Sequence, residues 1–292
     1  MRYAPVSLDY RLFLLIPDVM QLKHVTARDG VLWFRQGLGT FRRSPLLFLA
    51  LSFAYLLLMR IVSLPPVIGT VVMLLMLPGV TVGFFAASRE VLSGKPAFPT
   101  ILLRAFAGGA VVVRRLLILG IVYFACICAV FAASAIGDDG MLAQMMLFGN
   151  APSEQEIRSG VLMITQQAMP IVMLGYVLVA VVFWFAPVLV AWHDVPPHKA
   201  LFFSIYTIWR NKLAFVVYGM LWFATLILLW IGAMILSALS GAGLVAMTML
   251  MMLIVAIFIT MFYCSLYATY RGCFDIEGPP LPPVGRPAKP AP

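Results

Sequence analysis

The sequence predicts an all-α integral membrane protein: six transmembrane helices arranged as three hairpins, each preceded by a cytoplasmic interfacial amphipathic helix. Three observations predict it. Hydrophobic residues make up 63% of the chain and charged ones 11%, with a mean hydropathy of +1.03, whereas about a quarter of a soluble domain is charged. Six apolar runs each approach the roughly 20 residues a helix needs to cross about 30 Å of hydrocarbon. Amphipathic stretches stand before the first, third and fifth of these runs.

In chain order, residues 1–19 hold only a short apolar patch, Leu12 to Ile16, closed by Pro17 and Asp18. It is too short for a signal-peptide core and lacks a small-residue cleavage site, so these residues are expected to be a loose extension, with Met20 an alternative start. Thr26 with Asp29 three residues on is a capping box that starts the first amphipathic helix, Thr26 to Arg43. At about 100° per residue, Val31, Phe34, Leu38 and Phe41 share one side of it. Arg28, Arg35 and Arg42 run along the edge, with Arg43 at the end, and Asp29 and Gln36 lie opposite. Such a helix lies flat on a membrane with its arginines among the headgroups.

The six runs are Leu46 to Leu64, Val67 to Ala87, Leu116 to Ile136, Met169 to Trp192, Leu213 to Leu239 and Leu244 to Tyr270. Pro65-Pro66 and Ser240-Gly241-Ala242-Gly243 close the first and last pairs tightly. The middle pair is joined by residues 137–160, which carry Asp138, Asp139, Glu154 and Glu156 against Arg158. There Ser153 with Glu156 makes a second capping box, so the fourth helix is expected to start near Glu154. The second amphipathic segment, Thr100 to Arg115, is interrupted by Gly108-Gly109, which costs about 1 kcal/mol per glycine in a helix interior. In the third, Leu201, Ile205, Ile208 and Trp209 fall on one side and Ser204, Thr207 and Asn211 on another, with Lys199, Arg210 and Lys212 at its ends. Pro78-Gly79 and Pro187 are kink sites.

Charge orients the chain. Eighteen of its 20 lysines and arginines fall in residues 1–45, 88–115, 193–212 and 271–292, and only Arg60 and Arg158 lie on the other side. The positive-inside rule therefore puts both termini and the basic loops in the cytoplasm and the acidic loop 137–160 outside. The net charge of +9 is thus a topology signal, and no nucleic-acid partner is expected. Anionic membrane lipids are the expected partners of Arg28, Arg35, Arg42, Arg43, Lys199, Arg210 and Lys212, since each basic residue near a charged surface contributes about 1 kcal/mol. A protein partner would meet the 137–160 loop or the cytoplasmic surface.

The organisation reads as the 1–19 extension, a six-helix membrane domain over residues 20–270 and a Pro-rich cytoplasmic tail, 271–292. A threefold repeat near 26–87, 97–192 and 197–270 is suggested by two alignments. Phe41-Arg42-Arg43-Ser44-Pro45-Leu46-Leu47 lies over Trp209-Arg210-Asn211-Lys212-Leu213-Ala214-Phe215. Phe84-Phe85-Ala86 and Lys95-Pro96 stand 100 residues before Trp184-Phe185-Ala186 and Val195-Pro196.

Met20-Gln21-Leu22, Val25, Ala27, Gly30, Trp33, Gly37 and the Arg42-Arg43-Ser44-Pro45 turn carry a resemblance, as do Trp209-Arg210-Asn211 and Ala214-Phe215-Val216-Val217-Tyr218-Gly219. Over about Met20 to Tyr270 the chain resembles a proteobacterial family of uncharacterised six-helix inner-membrane proteins. The resemblance implies a fold and an inner-membrane location and no activity. More distantly, the surface-helix-plus-hairpin plan is similar to the membrane region attached to some glycerophosphodiester phosphodiesterases, whose catalytic domain has no counterpart here.

Chemistry-bearing residues are sparse. The six runs contain no Asp, Glu, Lys or His, and Arg60 sits near a helix end where it can snorkel. A proton- or sodium-coupled transporter needs an intramembrane ionisable group, so that class is disfavoured. His193-Asp194 with His198 lacks a completing ligand, and Cys126, Cys128, Cys264 and Cys273 lack zinc spacing and read as core residues. Met141, Met145 and Met146 have a spacing that suits Cu(I), but equally dense methionines at 247–252 are packing groups. No nucleotide-binding, serine-hydrolase or zinc-protease motif occurs. The expectation is therefore a non-enzymatic scaffold or accessory subunit, without cofactor or metal; the alternative is a lipid-handling or passive transport protein.

Overall fold

A computed structural model of the chain describes residues 21–62, 64–138, 140, 142, 161–240 and 244–275. The N-terminal extension, Met141, residues 143–160 with Met145, Met146 and their capping box, the 241–243 turn and the tail beyond Asp275 lie outside the described residues. In chain order, α1 (Ala27–Arg43), α2 (Pro45–Val62) and α3 (Pro66–Leu92) are followed by a 3-10 helix, Pro99–Ala107. Then come α4 (Ala110–Asp138), α5 (Val161–Phe183), α6 (Ala186–His193), α7 (Pro197–Arg210), α8 (Lys212–Ser240) and α9 (Leu244–Cys273). A two-residue antiparallel pair, Gln21 with Asp275 and Leu22 with Phe274, joins the two ends of the described chain.

Six segments are long and apolar enough to cross a membrane: Pro45–Val62, Ile68–Leu92, Ala110–Gly137, Ala168–His193, Lys212–Leu239 and Met249–Cys273. They match the six apolar runs to within a few residues at most ends. Pro66 opens α3, where its missing N–H costs nothing. Gly94, at φ +70, turns the chain out of α3, its N–H on the Val91 carbonyl (3.1 Å).

Three local features sharpen the expectations. The segment Thr100 to Arg115 is not one helix: a 3-10 helix ends at Ala107 and α4 starts at Ala110. Gly109, at φ +94, makes the turn between them, a backbone conformation that side chains with a Cβ rarely adopt. The fourth spanning segment breaks at Trp184-Phe185 just before Pro187, whereas Pro78 sits inside the continuous α3. Finally, the last helix runs on to Cys273.

The chain divides into two compact units. One contains α1, residues 91–95 and everything from Trp209 on, hence α8 and α9. The other contains residues 44–90 and 96–208, hence α2, nearly all of α3, the 3-10 helix and α4 to α7. In the second unit the helices meet at small residues. A Cβ on Gly120 of α4 would overlap the backbone of Leu75 on α3, and one on Gly175 of α5 would meet Val130 on α4. Close backbone approach of this kind holds helices together where lipid offers no hydrophobic drive. Several hydroxyls inside the spans bond to their own helix, as Thr225 does to the Leu221 carbonyl (2.8 Å) and Thr260 to Ala256 (2.6 Å).

Candidate functional site

Helix α1 starts as its sequence dictates. The Asp29 carboxylate accepts the Thr26 N–H (2.7 Å) and the Thr26 hydroxyl (2.9 Å), while the Asp29 N–H donates to the Thr26 carbonyl (3.0 Å). The reciprocal half of the box is replaced by the hydroxyl donating to the carboxylate. What the helix buries is not its most apolar side. Gly30, Trp33, Gly37 and Thr40 are the buried residues, and they lie on the flank next to Val31, Phe34, Leu38 and Phe41. Val31 is 38% exposed, against 2% for Trp33.

The buried flank fits the last two spanning helices of the same unit without spare room. A Cβ on Gly30 would strike the Ala214 carbonyl of α8, and one on Gly37 would overlap Ser265 of α9. Conversely, Gly272 of α9 makes room for the Trp33 indole. Trp33 stands 5.2 Å from the Phe215 ring and 6.3 Å from that of Tyr218, and Phe34 stands 4.9 Å from Trp222. Trp222 in turn packs edge-on against Phe258 and Phe262. The buried Tyr218 hydroxyl pairs with that of Ser265, linking α8 to α9.

The chain entering α1 is tied down by one side chain. Asn211 accepts the Val25 N–H at 3.0 Å through Oδ1 and donates through Nδ2 to the Lys23 carbonyl at 3.3 Å. The Lys23 N–H reaches the Cys273 carbonyl (2.8 Å). Residues that carry the sequence resemblance, Val25, Gly30, Trp33, Gly37, Asn211, Ala214, Phe215 and Tyr218, thus meet in one clamp.

The basic residues lie outside this clamp. Arg28, Arg35, Arg42 and Arg43 are exposed, as are Arg210 and Lys212, and Lys199 is half-buried in the other unit. Lys212 Nζ lies 5.3 Å from the centre of the Trp209 ring. Arg210 and Lys212 flank Asn211 by the start of α1, while Arg42 and Arg43 end it, about 25 Å away at 1.5 Å per residue. The structure therefore brings the six cations of this unit into a strip along α1, and not around one point. Among the described residues no three of His, Cys, Asp and Glu gather as metal ligands. Cys264 and Cys273 are buried free thiols, and Cys126 and Cys128 are half-buried ones.

In the other unit, Ser204 carries a contact that sequence reasoning missed. Helix α7 buries its small and polar side, Ala200, Ser204 and Thr207 together with Phe203 and Ile208, and leaves Ile205 42% and Trp209 73% exposed. Ser204 Oγ accepts the Phe185 N–H (3.1 Å) and donates to the Val181 carbonyl (2.8 Å). Those two groups would bond to each other in an unbroken helix, so the hydroxyl is spliced into the gap between α5 and α6. Asp194, left-handed at φ 54, caps α6, and Arg115 of α4 bonds both its carboxylate and its carbonyl (2.7 Å). Arg104 pairs with Glu90 (2.7 Å), and Arg89 lies over the Trp192 ring (5.4 Å).

No family model and no solved structure matches this chain. A protein of Burkholderia thailandensis described as a probable inner membrane protein is 49% identical over 267 residues, which cover 90% of this chain and 97% of that one. With six helices long and apolar enough to span a bilayer and that degree of identity over nearly the whole length, the chain belongs to the same family of multi-pass inner-membrane proteins.

Proposed function

We propose that the protein is a non-enzymatic scaffold or accessory subunit of the inner membrane. It is built as three hairpins, each led by an interfacial helix, with both termini in the cytoplasm and residues 137–160 in the periplasm. The observation that carries this reading is the clamp: a whole helix is fixed to α8 and α9 by glycine gaps and aromatic packing, so that its arginine edge is presented on a rigid support. A rigid, basic, outward strip suits recognition of anionic lipid headgroups or of a partner's acidic surface.

The repeat is supported by where the surface segments dock. The 3-10 helix meets α3, the second helix of the first hairpin, at Leu102 and Gly83, and α7 meets the second hairpin at Ser204 and Phe185. In both cases the partners stand 19 residues apart. In the alignment of residues 41–47 with 209–215, Ser204 corresponds to Gln36, the neighbour of Gly37, and Gly37 docks on Ser265 in the last hairpin. Each surface segment thus packs on the hairpin of a neighbouring copy, the first segment taking the last hairpin.

The test is purification of the full chain from its native membrane in mild detergent, followed by reconstitution into liposomes. A scaffold comes off as a stoichiometric complex, and the protein alone leaves the liposomes sealed to small solutes. Solute flux through the isolated protein, with no partner retained, would overturn this reading in favour of passive transport.

A further inference from the structure

A second basic feature lies at the start of α4. The turn at Gly109 and the first three turns of the helix form an open groove of about 640 Å³, lined by Phe106, Gly109, Val113, Arg114, Leu117 and Ile121 among others, within the roughly 300–1,000 Å³ of small-molecule sites. Gly109 keeps its rim open, since nothing lies within 4 Å of where a Cβ would stand. Two adjacent arginines diverge there. Arg115 turns to Asp194, while Arg114 is exposed, is the one charged residue lining the groove and makes no ion pair among the described residues. The apolar walls belong to the spanning segment Ala110–Gly137, with Ile121 57% exposed.

We propose that this groove holds one anionic phospholipid, its phosphate on the Arg114 guanidinium and an acyl chain along Val113, Leu117 and Ile121. Charge and shape both select that occupant. A single cation at the end of an open apolar groove matches a molecule with one anionic head and a hydrocarbon tail, and the positive end of the α4 dipole adds to the attraction. The guanidinium fork meets phosphate oxygens two at a time, which an ammonium does not. The site is separate from the arginine strip of α1 and stands whether or not a partner complex is found.

Native mass spectrometry of the full chain, titrated with phosphatidylglycerol or phosphatidylcholine, tests it. One phosphatidylglycerol per chain is expected to bind in preference. Arg114→Gln should weaken that binding about fivefold, the equivalent of about 1 kcal/mol, and weaken phosphatidylcholine binding by clearly less, because choline already offsets the charge of its phosphate. Val113→Trp, which fills the groove, should remove the preferred lipid altogether. If Arg114→Gln binds phosphatidylglycerol as the parent does, loses both lipids equally, or if Val113→Trp keeps the bound lipid, the groove is no lipid site.

Discussion

Where α1 meets α8 and α9 the chain removes side chains, and where α7 meets the gap between α5 and α6 it inserts one. In the first region Gly30, Gly37 and Gly272 let backbone and indole approach until no Cβ would fit. In the second, the Ser204 hydroxyl repairs a broken helical hydrogen bond. Both docking surfaces set small residues around a buried aromatic, Trp33 or Phe203, and in both other large apolar side chains of the docking helix, Val31 on α1 and Ile205 and Trp209 on α7, are left partly outside. The two regions therefore differ in what they tolerate: the clamp depends on shape over a large area, the splice on a single pair of hydrogen bonds.

The largest effect is expected from emptying the clamp. Trp33→Ala removes a side chain that is 2% exposed and packed on Phe215 and Tyr218. It should cost about 3 kcal/mol, seen as a lower melting temperature in detergent and as new proteolysis between Thr26 and Arg43. A variant that melts and resists protease like the parent would show that α1 is held by something other than this packing. A smaller effect is expected at the splice. Ser204→Ala leaves the Phe185 N–H and Val181 carbonyl unsatisfied or forces α5 and α6 to straighten, which should cost about 1 kcal/mol. Its melting temperature should fall by about a third as much as that of Trp33→Ala, with α1 still resistant to protease. An equal or larger drop would mean that the hydroxyl carries more of the fold than the glycine clamp.

How much of this was legible in the sequence follows from the same contrast. The six spans are written in runs of apolar residues, because a bilayer sets their length and leaves little choice of composition. Thr26 with Asp29 marked the start of α1, and Pro187 marked the break before α6. The resemblance residues were legible as a set, and the structure gives the reason: several of them build one clamp. The docking faces were not legible from periodicity, because an amphipathic pattern in a membrane protein points its apolar side toward lipid as readily as toward protein. Gly30 and Gly37, one to each side of Trp33, were the available signal, but a glycine pair does not name its partner. The pairing of α1 with helices about 180 to 240 residues away lies in no local pattern. The seven candidate lipid-contact residues were legible only as charges, and for the four on α1 contact with lipid depends on how that helix is held.

On the reading proposed above, protein packing holds α1 and its arginines serve recognition. Hydrogen exchange on the full chain in anionic nanodiscs tests this most directly, comparing the parent with Gly37→Leu and with a triple variant, Arg28→Gln, Arg35→Gln and Arg42→Gln. The account predicts that the amides of Ala27–Arg43 stay protected in the triple variant. In Gly37→Leu, where the added side chain must displace Ser265, protection should fall at least about fivefold, since overpacking of this kind costs about 1–3 kcal/mol. Loss of protection in the triple variant with full protection in Gly37→Leu would contradict it, and would mean that the lipid surface holds the helix.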